Sequence, residues 1–267
     1  MVDGSSEKKW LDKEAQRLGA DLAELLGGSG LAEKGRVNSV WNVGLVDAFV
    51  ADANDPEVQL AAWLRDGCPA GVAHGIPHCG IFPTTSPKDR VGSSITEHLQ
   101  EHEPSSNYAS VSEEFELSGA EVDRLIEKGY AVKYDEWKDV LAEFGDALVS
   151  KLACIFKVRE DGTKKVRNVL DLRRSGYNEH VNLEERIVLP RLGDLIKDAV
   201  DLSLARREGG GEVFGMIPDF EDAFHTLGVA PAEWKYLLAR HPVCGFVGYR
   251  TVLCGGAGCP LLWGRAA

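Results

Sequence analysis

Long apolar runs are missing from this sequence. None approaches the ~20 residues that a bilayer-spanning helix needs, so a membrane span is not expected. The opening stretch MVDGSSEKKW has no apolar core, and no secretory signal is expected from it. Cysteine is sparse: Cys68, Cys79, Cys154, Cys244, Cys254 and Cys259 are scattered through 267 residues. That is too few for a disulfide framework, and it points to a reducing intracellular compartment, cytoplasm or nucleus. There is no internal repeat and no low-complexity tract. A Walker phosphate loop, a dinucleotide fingerprint and an ordered Ser–His–Asp series are all lacking, which removes the commonest nucleotide-hydrolysing, hydride-transferring and acyl-transferring motifs. No two aspartates are adjacent anywhere in the chain.

Positive charge is also in short supply. Lys and Arg number 30 against 42 Asp and Glu, for a net charge of −12. Taken alone, this balance argues against nucleic acid, because phosphate binding needs cations. The distribution says otherwise. Between Lys151 and Arg191 ten basic residues face six acidic ones, so this segment is locally positive in an acidic chain. A basic patch of that kind is the usual electrostatic footprint of a nucleic-acid site, and equally of a solvated hairpin.

What is present reads as α+β. Residues 6–26 place Trp10, Leu11, Leu18, Leu22, Leu25 and Leu26 at helical spacing, stopped by Gly27 and Gly28. A second helix is expected from Pro56 to Arg65, closed by Gly67. Residues 67–87 are rich in Gly and Pro and read as loop. Residues 91–113 are polar and read as mobile. Ser118 and Glu121 have the spacing of a capping box that opens a helix ending near Gly129. Leu152–Val158 and Val166–Leu172 read as the strands of a hairpin, joined by a turn at 160–163 in which Gly162 supplies the backbone freedom. Pro190 suits a first helical position, and Leu192, Leu195, Ile196 and Ala199 follow on one face. Residues 212–217 read as a short apolar strand ending at Asp219, Glu221–Leu227 as one or two helical turns, and 235–241 and 246–253 as two further strands. Alternating strands and helices with a hairpin make an α+β pattern. The chain divides into a helix-and-loop extension over 1–110 and a second unit over 111–267.

Three segments carry chemistry. They are FKVREDGTKKVRNVLDLRR from Phe156 to Arg174, DFEDAFHTLGV from Asp219 to Val229, and LCGGAGCPLLW from Leu253 to Trp263. In this order they resemble the reverse-transcriptase family of retroelements. The first is similar to the lysine-rich fingers hairpin, the second to the first catalytic motif, and the third to the glycine motif before the primer grip. The resemblance covers about 110 residues, and it implies fingers and a partial right-hand palm with an antiparallel sheet, Asp219 lying beside Gly255. Residues 63–83, with GCPAG at 67–71 and GIFP at 80–83, also resemble a stretch that precedes this polymerase in some protist retroelement polyproteins.

The implied roles follow residue by residue. Nucleotidyl transfer uses carboxylates to hold two Mg²⁺ ions ~4 Å apart. The resemblance makes Asp219 the first of these carboxylates, catalytic and metal-binding, with Mg²⁺ (or Mn²⁺) as cofactor. Taken by itself, an Asp at this place caps a strand end. Asp222 and Ala223 would supply backbone amides near the triphosphate of a dNTP. Phe224 would sit under the sugar and exclude a 2′-hydroxyl, a role compatible with that of a core Phe. Arg167 matches the arginine that stacks over the incoming base and contacts its phosphates, which suits a planar, permanently charged guanidinium. Arg159 stands in for the triphosphate lysine, and Lys157 or Lys164 could serve instead, because the turn carries one more residue than in common relatives. Asp171 and Arg173 match a pair that contacts template, with a structural ion pair as the alternative. Gly255 and Gly256 would let the backbone approach nucleotide and template, although Cys254 departs from the usual Gln or Phe before them.

The family's remaining catalytic carboxylates come from an aromatic, one variable residue and Asp-Asp. That motif does not occur here. The expectation is therefore a fragment of an RNA-directed DNA polymerase that binds an RNA or DNA template with its primer and is inactive alone. Two alternatives stay open: a non-catalytic nucleic-acid-binding remnant, and a relic that folds poorly with apolar surface exposed. A zinc site at Cys68, His74, His78 and Cys79 has the right ligand types, but its spacing is irregular.

Overall fold

The computed structural model describes residues 4–26, 41–86, 95–99, 106–209, 215 and 219–267. The expected first helix is present as α1 (Gly4–Leu25). A helix not foreseen, α2 (Val43–Asp52), follows; Asn42 caps it by accepting the Leu45 amide. Next comes α3 (Leu60–Asp66). It stops at Gly67, whose φ of +97° places its Cα so close to Val229 and Ala230 that a Cβ would lie 2.6 Å from their backbone. Only glycine accepts both conditions. The loop that follows pairs with later segments through Cys68 with Val229, Ile76 with Leu183 and Thr84 with Glu185.

Short helix α4 (Ala109–Glu113) leads directly into α5 (Phe115–Glu127). The helix thus starts before Ser118, and the expected capping box does not form. Ser118 is buried inside the helix, and its hydroxyl is used instead by Asn168 of the hairpin. The capping box that does form lies at Glu136 and Asp139, opening α6 (Trp137–Phe144) after strand β1 (Ala131–Tyr134). Neither element was anticipated.

The expected hairpin is β3 (Leu152–Val158) against β4 (Lys164–Leu170), in antiparallel register from Leu152 opposite Leu170 to Val158 opposite Lys164. The second sheet has the order β1-β6-β5-β2, where β2 is Val149–Ser150, β5 is Leu238–His241 and β6 is Gly245–Tyr249. It is antiparallel except where β2 runs parallel to β5, which departs from the all-antiparallel expectation. The strands expected at 235–241 and 246–253 are present in shorter form. The strand expected over 212–217 falls outside the described residues, apart from Gly215.

Helix α7 (Leu192–Gly209) forms near Pro190 as expected. Its apolar face does not enter the core: Leu192 is 73% and Leu195 64% exposed. Helix α8 (Cys259–Ala266) closes the chain and is deeply buried. One core takes Leu60, Trp63, Leu64 and Ile76 from the front of the chain together with Leu152, Leu172, Leu227, Tyr249 and Leu261. Arg265 of α8, fully enclosed, ties the two regions together. It pairs with buried Glu57, donates to the Pro77 carbonyl at 2.6 Å, lies 3.8 Å from Glu185 and stacks 4.5 Å from the Trp63 ring centre. No helix among the described residues is long and apolar enough to cross a membrane.

Candidate nucleic-acid interface

Strand alternation sorts the hairpin into two faces. Cys154 and Asn168 turn toward α4 and α5, where the Cys154 amide donates to the Ser110 hydroxyl and Asn168 bonds both the carbonyl and the hydroxyl of Ser118. The opposite face carries the cross-strand pairs Ala153–Val169, Ile155–Arg167 and Lys157–Lys165. Arg167 is exposed there beside exposed Ile155. Arg159 is exposed at the turn, where its carbonyl accepts the Gly162 amide. Lys164, on the other face, is committed to an ion pair with Glu114 and lies over the Phe156 ring. That leaves Lys157, Lys165, Arg159 and Arg167 as hairpin cations with no ion pair among the described residues.

At the base of this face lies an open groove of about 410 Å³. Its lining brings together Asp171, Arg173 and Gly255, three residues singled out in the sequence, with Tyr108, Ala153, Val169 and Asn178. Asp171 and Arg173 are not an ion pair. The Tyr108 hydroxyl and the Arg174 amide occupy the Asp171 carboxylate, and Tyr108 first, then Arg174, holds its carboxyl below the ordinary range. Arg173 stays exposed. Gly255 has φ +102°, and open space surrounds the place where its Cβ would stand. Asn178 fixes the loop from below, donating to the Gly255 carbonyl at 3.0 Å and accepting the Ala257 amide at 2.9 Å. Sequence reasoning missed both Tyr108, outside the motifs, and Asn178. The only signal for Asn178 was its position just after the Asp171–Arg173 motif.

The second motif segment packs elsewhere. Residues 227–229 run beside 250–252 through the pairs Val229 amide to Arg250 carbonyl and Val252 amide to Leu227 carbonyl. The His225 ring shares a 2.8 Å hydrogen bond with the Thr251 hydroxyl and stacks on Tyr130. Burial pushes the imidazole down to about 4, so His225 is neutral at pH 7. Phe220 and Phe224 both meet Trp263 edge-on, at 5.3 and 6.1 Å between ring centres. Phe224 is half-buried.

Within this segment the carboxylates divide. Asp219 is exposed. Asp222 has φ +52°, a left-handed conformation uncommon outside glycine. It accepts hydrogen bonds from Arg124 at 2.7 and 3.3 Å and from Lys128 at 2.6 Å. Burial opposes its ionisation, but these two cations outweigh burial and hold its carboxyl at about 2. Glu221 is bound to Lys128 as well. Ala223 follows Asp222 in a 3₁₀ turn, Ala223–Thr226. Among the described residues no three His, Cys, Asp or Glu side chains gather as a metal site would require, and Cys68 lies buried while Cys79 meets Glu185. No family model matches this sequence, and no curated protein matches it.

Proposed function

We propose that this chain is the fingers and part of the palm of an RNA-directed DNA polymerase of the retroelement type, and that by itself it binds template and primer without extending them. One observation carries the reading. The three segments that resemble the family's motifs, far apart in sequence, come together on the third: the first brings Asp171 and Arg173 to the groove that Gly255 lines, and the second sets Phe220 and Phe224 against Trp263. Motifs of one active centre should meet in this way, whereas chance matches need not.

The hairpin cations and Arg173 suit a phosphate backbone, and the groove suits the nucleotide that the backbone carries. A two-metal centre is another matter. Asp222 is committed to Arg124 and Lys128, and Glu221 to Lys128. Among the described residues Asp219 is then the one carboxylate of the segment without an ion pair, open to Mg²⁺ or Mn²⁺, and a single carboxylate does not fit two metals. The described residues therefore support binding of nucleic acid and leave catalysis to carboxylates from elsewhere. Incoming dNTPs would meet Arg167, with Arg159 at the turn.

Primer extension on an RNA template with Mg²⁺ tests this reading. The chain alone should bind without extension. A form carried past Ala267 from the same gene should extend, and Asp219→Asn should abolish that. Extension unaffected by Asp219→Asn contradicts the assignment. Binding with no extension by any form favours the alternative, a non-catalytic nucleic-acid-binding remnant.

A further inference from the structure

Tyr108 belongs to none of the three motif segments, yet its ring lines the groove that holds Asp171, Arg173 and Gly255. Its position is fixed from both ends. The Tyr108 amide donates to the Leu152 carbonyl at 3.1 Å, and the Asn107 side chain accepts the Leu152 amide at 3.0 Å while donating to the Arg240 carbonyl at 2.6 Å. The segment is thus tied to the first residue of β3. At the far end of the side chain, the hydroxyl is held by Asp171. With backbone and hydroxyl both anchored, the ring has no free rotamer to lose when something packs against it, the condition under which an aromatic contact contributes most. Tyr108 as a whole is 36% exposed, and the Lys151 ammonium sits 5.8 Å from its ring centre.

The rest of the groove supplies what a nucleotide needs around such a ring. Ala153 and Val169 make a small apolar floor, Arg173 brings a cation unpaired among the described residues, and Gly255 leaves open space above its Cα. Its volume of about 410 Å³ lies in the range of small-molecule sites. Aromatic side chains beside a basic track are how proteins hold unpaired bases, because every base offers a face to stack on.

We propose that Tyr108 is a positioning residue of the template site: an unpaired template base stacks on its ring, while Arg173 takes the adjoining phosphate. This rests on the polymerase reading and names the partner of its groove. Asp171 then serves to aim the ring through the hydroxyl rather than to pair with Arg173.

The test uses the full chain and a DNA primer on an RNA template whose short 5′ overhang carries 2-aminopurine, a base whose fluorescence is quenched by stacking. Wild type should bind and quench. Tyr108→Phe keeps the ring but loses its anchor on Asp171; it should still quench, with affinity reduced by less than in Tyr108→Leu. Tyr108→Leu keeps apolar bulk without a π face; it should lose the quench and weaken binding by about 10-fold, the low end of what stacking contributes. Thermal unfolding that matches wild type shows that the Leu variant is folded, and Tyr108→Trp, with a larger ring, should quench at least as well. Quenching and affinity unchanged in Tyr108→Leu overturn the proposal and leave the polymerase reading intact. Failure of wild type to bind the duplex at all overturns both.

Discussion

Asn178 and Gly255 lie 77 residues apart in sequence and meet through a 3.0 Å hydrogen bond from the Asn178 amide to the Gly255 carbonyl. The same side chain accepts the Ala257 amide, so one residue holds both sides of the glycine turn. Its counterparts are backbone groups, which cannot be satisfied by a shorter residue.

Asn178→Ala removes both bonds. About 1 kcal/mol per lost bond is expected, seen as a lower urea midpoint at unchanged slope. Affinity for primer-template should fall with it, since the turn lines the groove. An Asn178→Ala variant as stable as wild type contradicts the role given to this residue.

Asp222 offers a cleaner electrostatic test. Asn tolerates the left-handed backbone that Asp222 adopts, so Asp222→Asn removes charge without changing the conformational demand. Arg124 and Lys128 lose their shared partner, and about 1 kcal/mol of stability should go, a modest figure because the cluster is partly solvated. The sign of the pH dependence follows from a folded pKa of about 2, below the ordinary 3.8 of an aspartate. The stabilisation is present above the unfolded value and is lost as pH falls from near 4 toward 2. Unfolding midpoints measured from pH 5 to pH 2 should converge for wild type and Asp222→Asn; a constant gap across that range would refute the assignment.

His225 works in the opposite direction. Its folded pKa is depressed to about 4 by burial, from the ordinary 6.5 of a histidine. Protonation then favours the unfolded chain, so stability is full above pH 6.5 and drains away as pH falls toward 4. His225→Gln can still hydrogen-bond Thr251 and cannot titrate. Melting temperatures at pH 7 and pH 5 should differ less in the Gln variant than in wild type. An equal drop in both would remove His225 as a source of acid sensitivity.

Arg265→Met tests whether residues 41–86 are integral to the fold. The variant leaves Glu57 and Glu185 buried without their cation. Breaking a buried pair in this way costs about 3–5 kcal/mol, which at roughly 2–4 °C per kcal/mol for a chain of this size predicts a melting temperature about 10 °C lower. Limited proteolysis should then cut first within 67–86. A near-neutral result would mean that the front of the chain is only loosely attached.

The sequence was most legible where local chemistry decides structure. The hairpin over 152–170, with its turn at Gly162, and the helix after Pro190 follow from alternation, glycine and proline, and all are found. Strand β1 was missed because it is four residues long and is fixed by pairing with distant β6. Helices α2 and α6 were missed although their apolar residues stand at helical spacing, as with Trp137, Val140, Leu141 and Phe144, because each is short. Ser118 misled because its spacing to Glu121 suits a cap, while tertiary contacts with Asn168 claimed its hydroxyl. At the site, the motifs single out Asp171, Arg173 and Gly255, which line one groove in the structure. Tyr108 was not legible, because it reaches the groove from a segment with no motif of its own. Nor was the commitment of Asp222, which depends on Arg124 and Lys128 nearly 100 residues earlier.

The most direct test of the account is the salt dependence of primer-template binding. Lys157, Arg159, Lys165, Arg167 and Arg173 are cations free to meet phosphates, so the plot of log affinity against log salt should slope at about −3.5 to −4.5. Changing Arg167 and Arg173 together to Ala should flatten that slope by about 1.5–2 without lowering the melting temperature. No binding even at low salt, or a slope that ignores both substitutions, would contradict the assignment of this face to nucleic acid.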